Sequence, residues 1–505
     1  MPARFVYDKT KSNFLRAESG YYLILSHSPL PVQRAFEKAL FTKSFHGHYS
    51  PLGFLAEFLT AKFVGTRGGF WKWRQITAVA LLATTLFVLV RNTGSALGVC
   101  RLKASLGGIG LTALLVYQPQ MRDFVSWPFM SLHILWLIFT LLTLFCLVQS
   151  VRFPIQRWWP WLTVVAAYAS INVVGLGLAT IAAAVTVMAG MWLTARKLPS
   201  TGVSKLALPL ACLSGLGIIH AILMLKLPPG EQGIQGTPWQ FASFVEETLG
   251  FVANFTFATL RNLFSTGQPI SPPWQNASDW PYGVLILLGF AALVSSALVR
   301  VVKEPTLRNQ TRLIIQSFSS MCFLTIVALA SFRLWHEPSL QGFRDYLNGP
   351  RYLVPSAFSL VGVMSEVLFI FASAPIFLNA FVNVSLVFCA ISGNLQYAAN
   401  VYPKVAPRSM YSHAHAWQSI LAMARECRNR GLAIPNVPLG ILTQEFVAWD
   451  LKRFEPLLRA DLNIPQETTL QFIEWTGRIR DLPPEYSQDV PSLGEVQKKV
   501  GLKPE

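Results

Sequence analysis

Apolar residues run in long, nearly uncharged blocks from Ile76 to Leu395, and polar residues return on both sides of that region. A hydrocarbon core of ~30 Å needs ~20 apolar residues per helix. Inside it every backbone N–H and C=O must be paired within the segment, so repeated blocks of this length predict helices. The blocks fall at 76–90, 104–118, 127–149, 159–175, 177–195, 206–226, 281–301, 312–332, 352–372 and 376–395, which predicts about ten spans. The second is loosened by Gly107, Gly108 and Gly110. The fourth and fifth are joined by Asn172 and a glycine-rich link, and form either a tight hairpin or one broken helix. Ala182, Ala183, Ala184 and Gly190 are small enough for close helix approach. The expected fold class is an all-α polytopic membrane protein.

Residues 1–75 contain no spanning block and no apolar core of a signal peptide, only short apolar stretches at Tyr21–Leu25 and Leu52–Val64. The spans occupy 76–395, and 396–505 read as a small soluble domain, mainly helical. In that tail a helical period runs from His415 to Arg430 and stops at Gly431, a suitable C-cap; further amphipathic stretches are Gln444–Leu458 and Thr468–Arg480. Between spans, an apolar stripe from Phe244 to Phe264 predicts one or two helices lying on the membrane surface.

Charge gives the chain a direction. Only 13% of residues are charged and 52% are apolar, against about a quarter charged in soluble domains. The net charge of +17 lacks the compact basic patch with interleaved aromatics that nucleic acid requires, so nucleic acid is not an expected partner. The basic residues sort by loop instead. One alternate set of loops carries Arg91, Arg101, Lys103, Arg152, Arg157, Arg196, Lys197, Lys205, Arg300, Lys303, Arg308 and Arg312. The other set is longer and carries only Arg122, Arg261, Arg333, Arg344 and Arg351. The first set is therefore expected in the cytoplasm, with residues 1–75 and the C-terminal domain outside an inner (plasma) membrane. Lys72 and Arg74 oppose this orientation, though long segments cross largely regardless of charge. An outer N-terminal segment either crosses together with the first span or follows a transmembrane helix upstream of Met1, and the second is the favoured expectation. The six cysteines form no C-x-x-C pair and no disulfide framework.

The polar groups with chemical potential collect on this outer face. His46, His48 and Tyr49 stand in the run Phe45–Leu52. Imidazole suits zinc or iron, but two ligands do not make a site, so a divalent metal has no clear ligand set here. The same groups suit hydrogen bonds to a phosphate or sugar, and equally a turn leading into a helix from Leu52. Asp8, with Glu18 and Glu57 behind it, is a candidate general base. His336 and Glu337, then Arg344, then Arg351 and Tyr352 precede or open the ninth span, and the planar guanidinium fork suits phosphate oxygens. Glu366, His220 and Lys226 are ionisable groups within spans, a costly placement that marks function by default. No P-loop, G-x-S-x-G or H-E-x-x-H motif is present.

These features together resemble the GT-C class of membrane glycosyltransferases, many-span enzymes with a large first outer loop and an acidic residue early in it. The resemblance covers roughly residues 1–395, with Asp8 as the acid, His46–Pro51 as a second polar motif, and Arg351-Tyr352-Leu353-Val354-Pro355 similar to the Arg-Tyr-x-x-Pro helix start of such proteins. It implies a lipid-phosphate-linked sugar as donor, an acceptor not specified by the sequence, and membrane lipid around the spans. Two features depart from the pattern: no first helix precedes Asp8, and Lys9 follows it where a second acid is common. A secondary transporter or a flippase for a lipid-linked substrate is the alternative, although no half-to-half repeat is visible. A non-catalytic assembly protein, docking through Trp417, Trp449 or Trp475, is a third.

Overall fold

The computed structural model describes residue 22 and residues 30–44, 49–64, 68–126, 129–195, 204–227, 241–264, 280–333, 350–370 and 374–400. Every regular element among them is helical. In chain order these are α1 (Leu30–Thr42), α2 (Pro51–Val64), α3 (Gly68–Ala96), α4 (Arg101–Val116), α5 (Met121–Ser126), α6 (Met130–Arg152), α7 (Trp158–Val173) and α8 (Gly177–Ala195). They are followed by α9 (Ser204–Lys226), α10 (Phe241–Phe264), α11 (Trp280–Lys303), α12 (Leu307–Arg333), α13 (Pro350–Ser359), α14 (Val361–Ile370) and α15 (Ile376–Asn400).

Each of the ten apolar blocks is built on helix in the described residues. Seven helices are long and apolar enough to cross a membrane: α3, α6, α8, α9, α11, α12 and α15. The pair α13 and α14 makes an eighth if its 45° bend lies within one span. The blocks at 104–118 and 159–175 become α4 and α7, each 16 residues long. At ~1.5 Å rise per residue they reach only ~24 Å, short of a typical hydrocarbon core. The chain is thus a helical multi-pass membrane protein, with seven or eight helices of spanning length among the described residues and the shorter α4 and α7 between them. The 159–195 region is a tight hairpin, with Val174 N–H bonded to Ser170 O (3.2 Å) and Gly177 N–H to Val174 O (2.8 Å).

The centre of the bundle is α6 and α12, in each of which 67% of the apolar window is buried, against 11% in α11. Trp136 is wholly buried on α6 and donates its indole N–H to Thr180 Oγ1 on α8 (3.1 Å), and Thr140 and Thr180 share a hydrogen bond of 2.7 Å. Phe255 on α10 stacks on Phe323 of α12 at 6.0 Å between centroids. The α10 stretch is one helix whose inner face, with Phe255, Thr259 and Asn262, is fully buried. It is therefore part of the bundle's packing as well as a loop helix. Many threonines, such as Thr143, Thr186, Thr256 and Thr325, return their hydroxyls to the carbonyl four residues back, so they cost little in an apolar setting. The outward faces are apolar: Leu285, Leu288, Phe381, Val384 and Phe388 are all more than half exposed. That is the reverse of a water-soluble surface, and fits lipid as the surrounding solvent.

Candidate functional site at one end of the bundle

Chain direction alternates from helix to helix, so the turns before α3, between α4 and α6, between α7 and α8, and after α9 gather at one end. This is the end the loop charges assign to the outside. Cross-element contacts confirm that these turns are neighbours. Ser50 Oγ donates to Ile171 O at the end of α7 (3.2 Å), and Arg74, near the start of α3, reaches Ser131 at the start of α6.

Four polar groupings occupy this end. In the first, Glu57 of α2 is buried and takes a guanidinium N–H of Arg74, while Ser131 donates its hydroxyl to the same carboxylate oxygen (3.2 Å). Trp71 lies one helical turn from Arg74, whose guanidinium sits 4.8 Å from the indole centroid. Burial pushes the Glu57 carboxyl above its ordinary range, and Arg74 and Ser131 offset part of that rise. In the second, His220 Nε2 and Tyr49 O are 2.6 Å apart, with the two rings 5.2 Å apart. The Tyr49 hydroxyl donates to Phe41 O (3.4 Å); burial raises its pKa, with a smaller contribution from Tyr168.

The third grouping is a chain of carboxamides. Gln118 Nε2 donates to Leu115 O (2.9 Å), Asn262 Nδ2 donates to Gln118 Oε1 (2.7 Å), and Asn262 Oδ1 accepts the N–H of Gln120 (3.2 Å). It fastens the turn between α4 and α5 to α10. The fourth follows directly: Arg122 on α5 is buried, and its Nη2 donates to Asn394 Oδ1 on α15 (2.9 Å). Helix α5 packs against α13, whose first turn carries Arg351, half-buried, and Tyr352, buried.

Of the residues selected from sequence, Tyr49, Arg351 and Tyr352 are at this end. Asp8, His46, His48, His336, Glu337 and Arg344 lie outside the described residues, as does the C-terminal domain beyond Asn400. Among the described residues no three His, Cys, Asp or Glu side chains gather in a way that would hold a metal ion. The groups a transporter would use do not converge. Glu366 sits at the opposite end, 2.8 Å from Arg312 Nε and accepting from Gln316 Nε2 (2.5 Å), whereas His220 binds Tyr49 and Lys226 is exposed. That opposite end also holds Arg152 with Asn92 (3.2 Å) and Lys103 with Ala374 O (2.7 Å).

Sequence reading overlooked the Arg122–Asn394 pair and the carboxamide chain. The available signal was the polar run Gln118-Pro119-Gln120-Met121-Arg122 between two apolar blocks, and single asparagines late in two apolar helices. In apolar surroundings each such group needs a partner. No family model matches the chain, and no curated protein or solved structure matches it.

Proposed function

We propose that the protein is a membrane glycosyltransferase that moves a sugar from a polyprenyl-phosphate donor to an acceptor on the extracytoplasmic side. The observation that carries this reading is the gathering of guanidinium and carboxamide groups at one end of the bundle, next to the first turn of α13 with Arg351 and Tyr352. Such a site suits a phosphorylated, hydroxyl-rich substrate reached from the lipid side. In the reaction, Asp8 takes the proton of the acceptor hydroxyl, the acceptor oxygen bonds to the anomeric carbon, and the bond from that carbon to the phosphate oxygen breaks. The lipid phosphate leaves with both electrons of that bond. Arg344 and Arg351 neutralise its charge, and His46 and His48 orient the acceptor. Tyr49, which follows them in sequence, is held by its bonds to Phe41 and His220.

The test is transfer of labelled sugar from a polyprenyl-phosphate donor by purified protein in lipid. Asp8→Asn abolishes transfer while leaving donor binding intact. Transfer unchanged by Asp8→Asn removes Asp8 from the mechanism, and no transfer by the native protein with any polyprenyl-phosphate sugar removes the proposal.

A further inference from the structure

The connection between α11 and α12 is short and held by its own polar groups. Glu304 N–H bonds to Arg300 O (2.8 Å), and Thr306 N–H bonds to Glu304 O (2.8 Å). Thr306 Oγ1 accepts the N–H of Asn309 (3.2 Å) and so caps α12. Asn309 Nδ2 donates to Glu304 O (2.8 Å), and Gln310 Nε2 donates to Pro305 O (3.0 Å). Beneath the turn, Ala297, Val301 and Leu313 form a small buried cluster that fastens the two helix ends together. The turn therefore has a fixed shape, and all of 302–308 is exposed on it.

Three cations stand on this support. Arg300 and Lys303 share a face in the last turn of α11, and Arg308 lies in the first turn of α12. None of their side chains has a hydrogen-bond or ion-pair partner among the described residues, and the one carboxylate of the turn, Glu304, pairs with none of them. Arg312 is the contrast. It lies one helical turn further in and is less exposed, and Glu366 of α14 meets its Nε at 2.8 Å. The fold thus neutralises the inner arginine and leaves the three outer cations open. The flank beside them is apolar: Val299 and Val302 are each 51% exposed, on the spanning helix with the smallest buried share. Positive charge above an exposed apolar flank, at the end of a membrane helix, matches a lipid with an anionic headgroup.

We infer that the α11–α12 turn is a docking surface for anionic phospholipid in the leaflet at this end of the bundle. Val299 and Val302 lie along the acyl chains. Arg300, Lys303 and Arg308 hold the headgroup phosphates, the two arginines through the planar guanidinium fork. A zwitterionic lipid carries the same phosphate beside its own ammonium, so lipids of net negative charge are preferred. The surface is at the opposite end from the groups assigned to sugar transfer and depends on none of them.

The test uses the full chain in phosphatidylcholine nanodiscs that contain a minor share of phosphatidylglycerol. A fluorophore is attached at Val302→Cys, or at Leu285→Cys near the other end of α11, with Cys100, Cys212, Cys389 and Cys427 replaced by serine. Either lipid carries bromine on its acyl chains, and the two quenching levels give the lipid composition at the label. At Val302→Cys, phosphatidylglycerol should be enriched over the bulk by roughly fivefold or more, the scale of one basic residue beside an anionic surface. Raised salt should lower the enrichment, an arm that needs no charge variant. Replacing Arg300, Lys303 and Arg308 together by Gln should return the composition to that of the bulk. Arg157→Gln, at an exposed position on another turn of the same end, should leave it unchanged. Bulk composition at Val302→Cys in the otherwise native protein overturns the inference, as does equal enrichment at Leu285→Cys. Enrichment that survives the triple replacement, resists salt, or falls as far in Arg157→Gln overturns it too.

Discussion

Glu57 is the single residue on which the polar end of the bundle most visibly depends. It joins α2, a helix that does not span, to α3 and α6, which do, through Arg74 and Ser131. Glu57→Ala removes the acceptor those two side chains share, and breaking a buried pair in this way costs ~3 kcal/mol or more. The expected outcome is a clear fall in melting temperature in detergent. Glu57→Gln keeps the shape and is the milder change. Its comparison with the native protein also carries a pH signature. The folded carboxyl is raised above its unfolded value, so its contribution to stability is complete below the unfolded pKa and declines as pH rises through the folded one. The native protein therefore loses ground to Glu57→Gln between about pH 4 and the folded value, and the difference is flat above that. A native protein that gains on the variant over that range would show that Arg74 outweighs burial. Glu57 was visible in the sequence as an acid near the membrane, but its partners Arg74 and Ser131 were not. Arg74 stood out only as a charge on the unexpected side.

Among the elements, several helix pairs approach so closely that a methyl group has no room. A side chain at Gly53 on α2 would run into the Val173 carbonyl at the end of α7, and one at Gly283 on α11 into the Leu249 carbonyl on α10. Backbone cannot swing aside as a flexible side chain does, so Gly53→Ala and Gly283→Ala should each cost ~1–3 kcal/mol. At Gly190 on α8 an added methyl group would meet nothing within 4 Å, so this position serves as the control. There Ala should be neutral or stabilising by ~0.5 kcal/mol, since it narrows the unfolded chain. Thermal melts of the three variants in one detergent check the ordering. The existence of every helical block was legible because block length is a local property of the chain. Their contacts were not. Arg122 and Asn394 are 272 residues apart, and neither a run of apolar residues nor a loop charge count reports such a meeting. Likewise the α4 and α7 blocks read as spans on apolar content, while the helices stop at 16 residues because Tyr117–Gln120 and Val174–Leu176 form turns.

For the whole molecule, sidedness links the fold to the proposed chemistry. Cys100 and Ile155 are exposed in turns at one end of the bundle, and Thr42 is exposed next to Phe41, whose carbonyl takes the Tyr49 hydroxyl at the other end. In a protein with its other cysteines replaced by serine, an impermeant thiol reagent should reach Cys100 and Ile155→Cys from the cytoplasmic side only. Thr42→Cys, in a background where Cys100 is also replaced, should react from the outer side only. Labelling of all three from one side would undo the assignment by loop charge, and with it the outer placement of the polar end. The sequence offers an orientation through the imbalance of Lys and Arg between alternate loops, and the labelling experiment tests it. The separation of Glu366 from His220 was not legible there, because it depends on which end of each helix faces which partner.

The short helix α7 has a further consequence. Trp158, Trp161, Leu162, Val165 and Tyr168 leave one of its faces exposed, so it meets lipid along ~24 Å rather than along a full hydrocarbon thickness. Acyl chains beside it must compress or splay, while those beside α11, with 24 residues, need not. The protein therefore carries a lopsided annulus, thin on one flank. A hydrophobic mismatch of this kind costs fractions of a kcal/mol per Å. It makes stability a function of acyl length, so melting temperature should peak in bilayers thinner than those that best suit α11 alone.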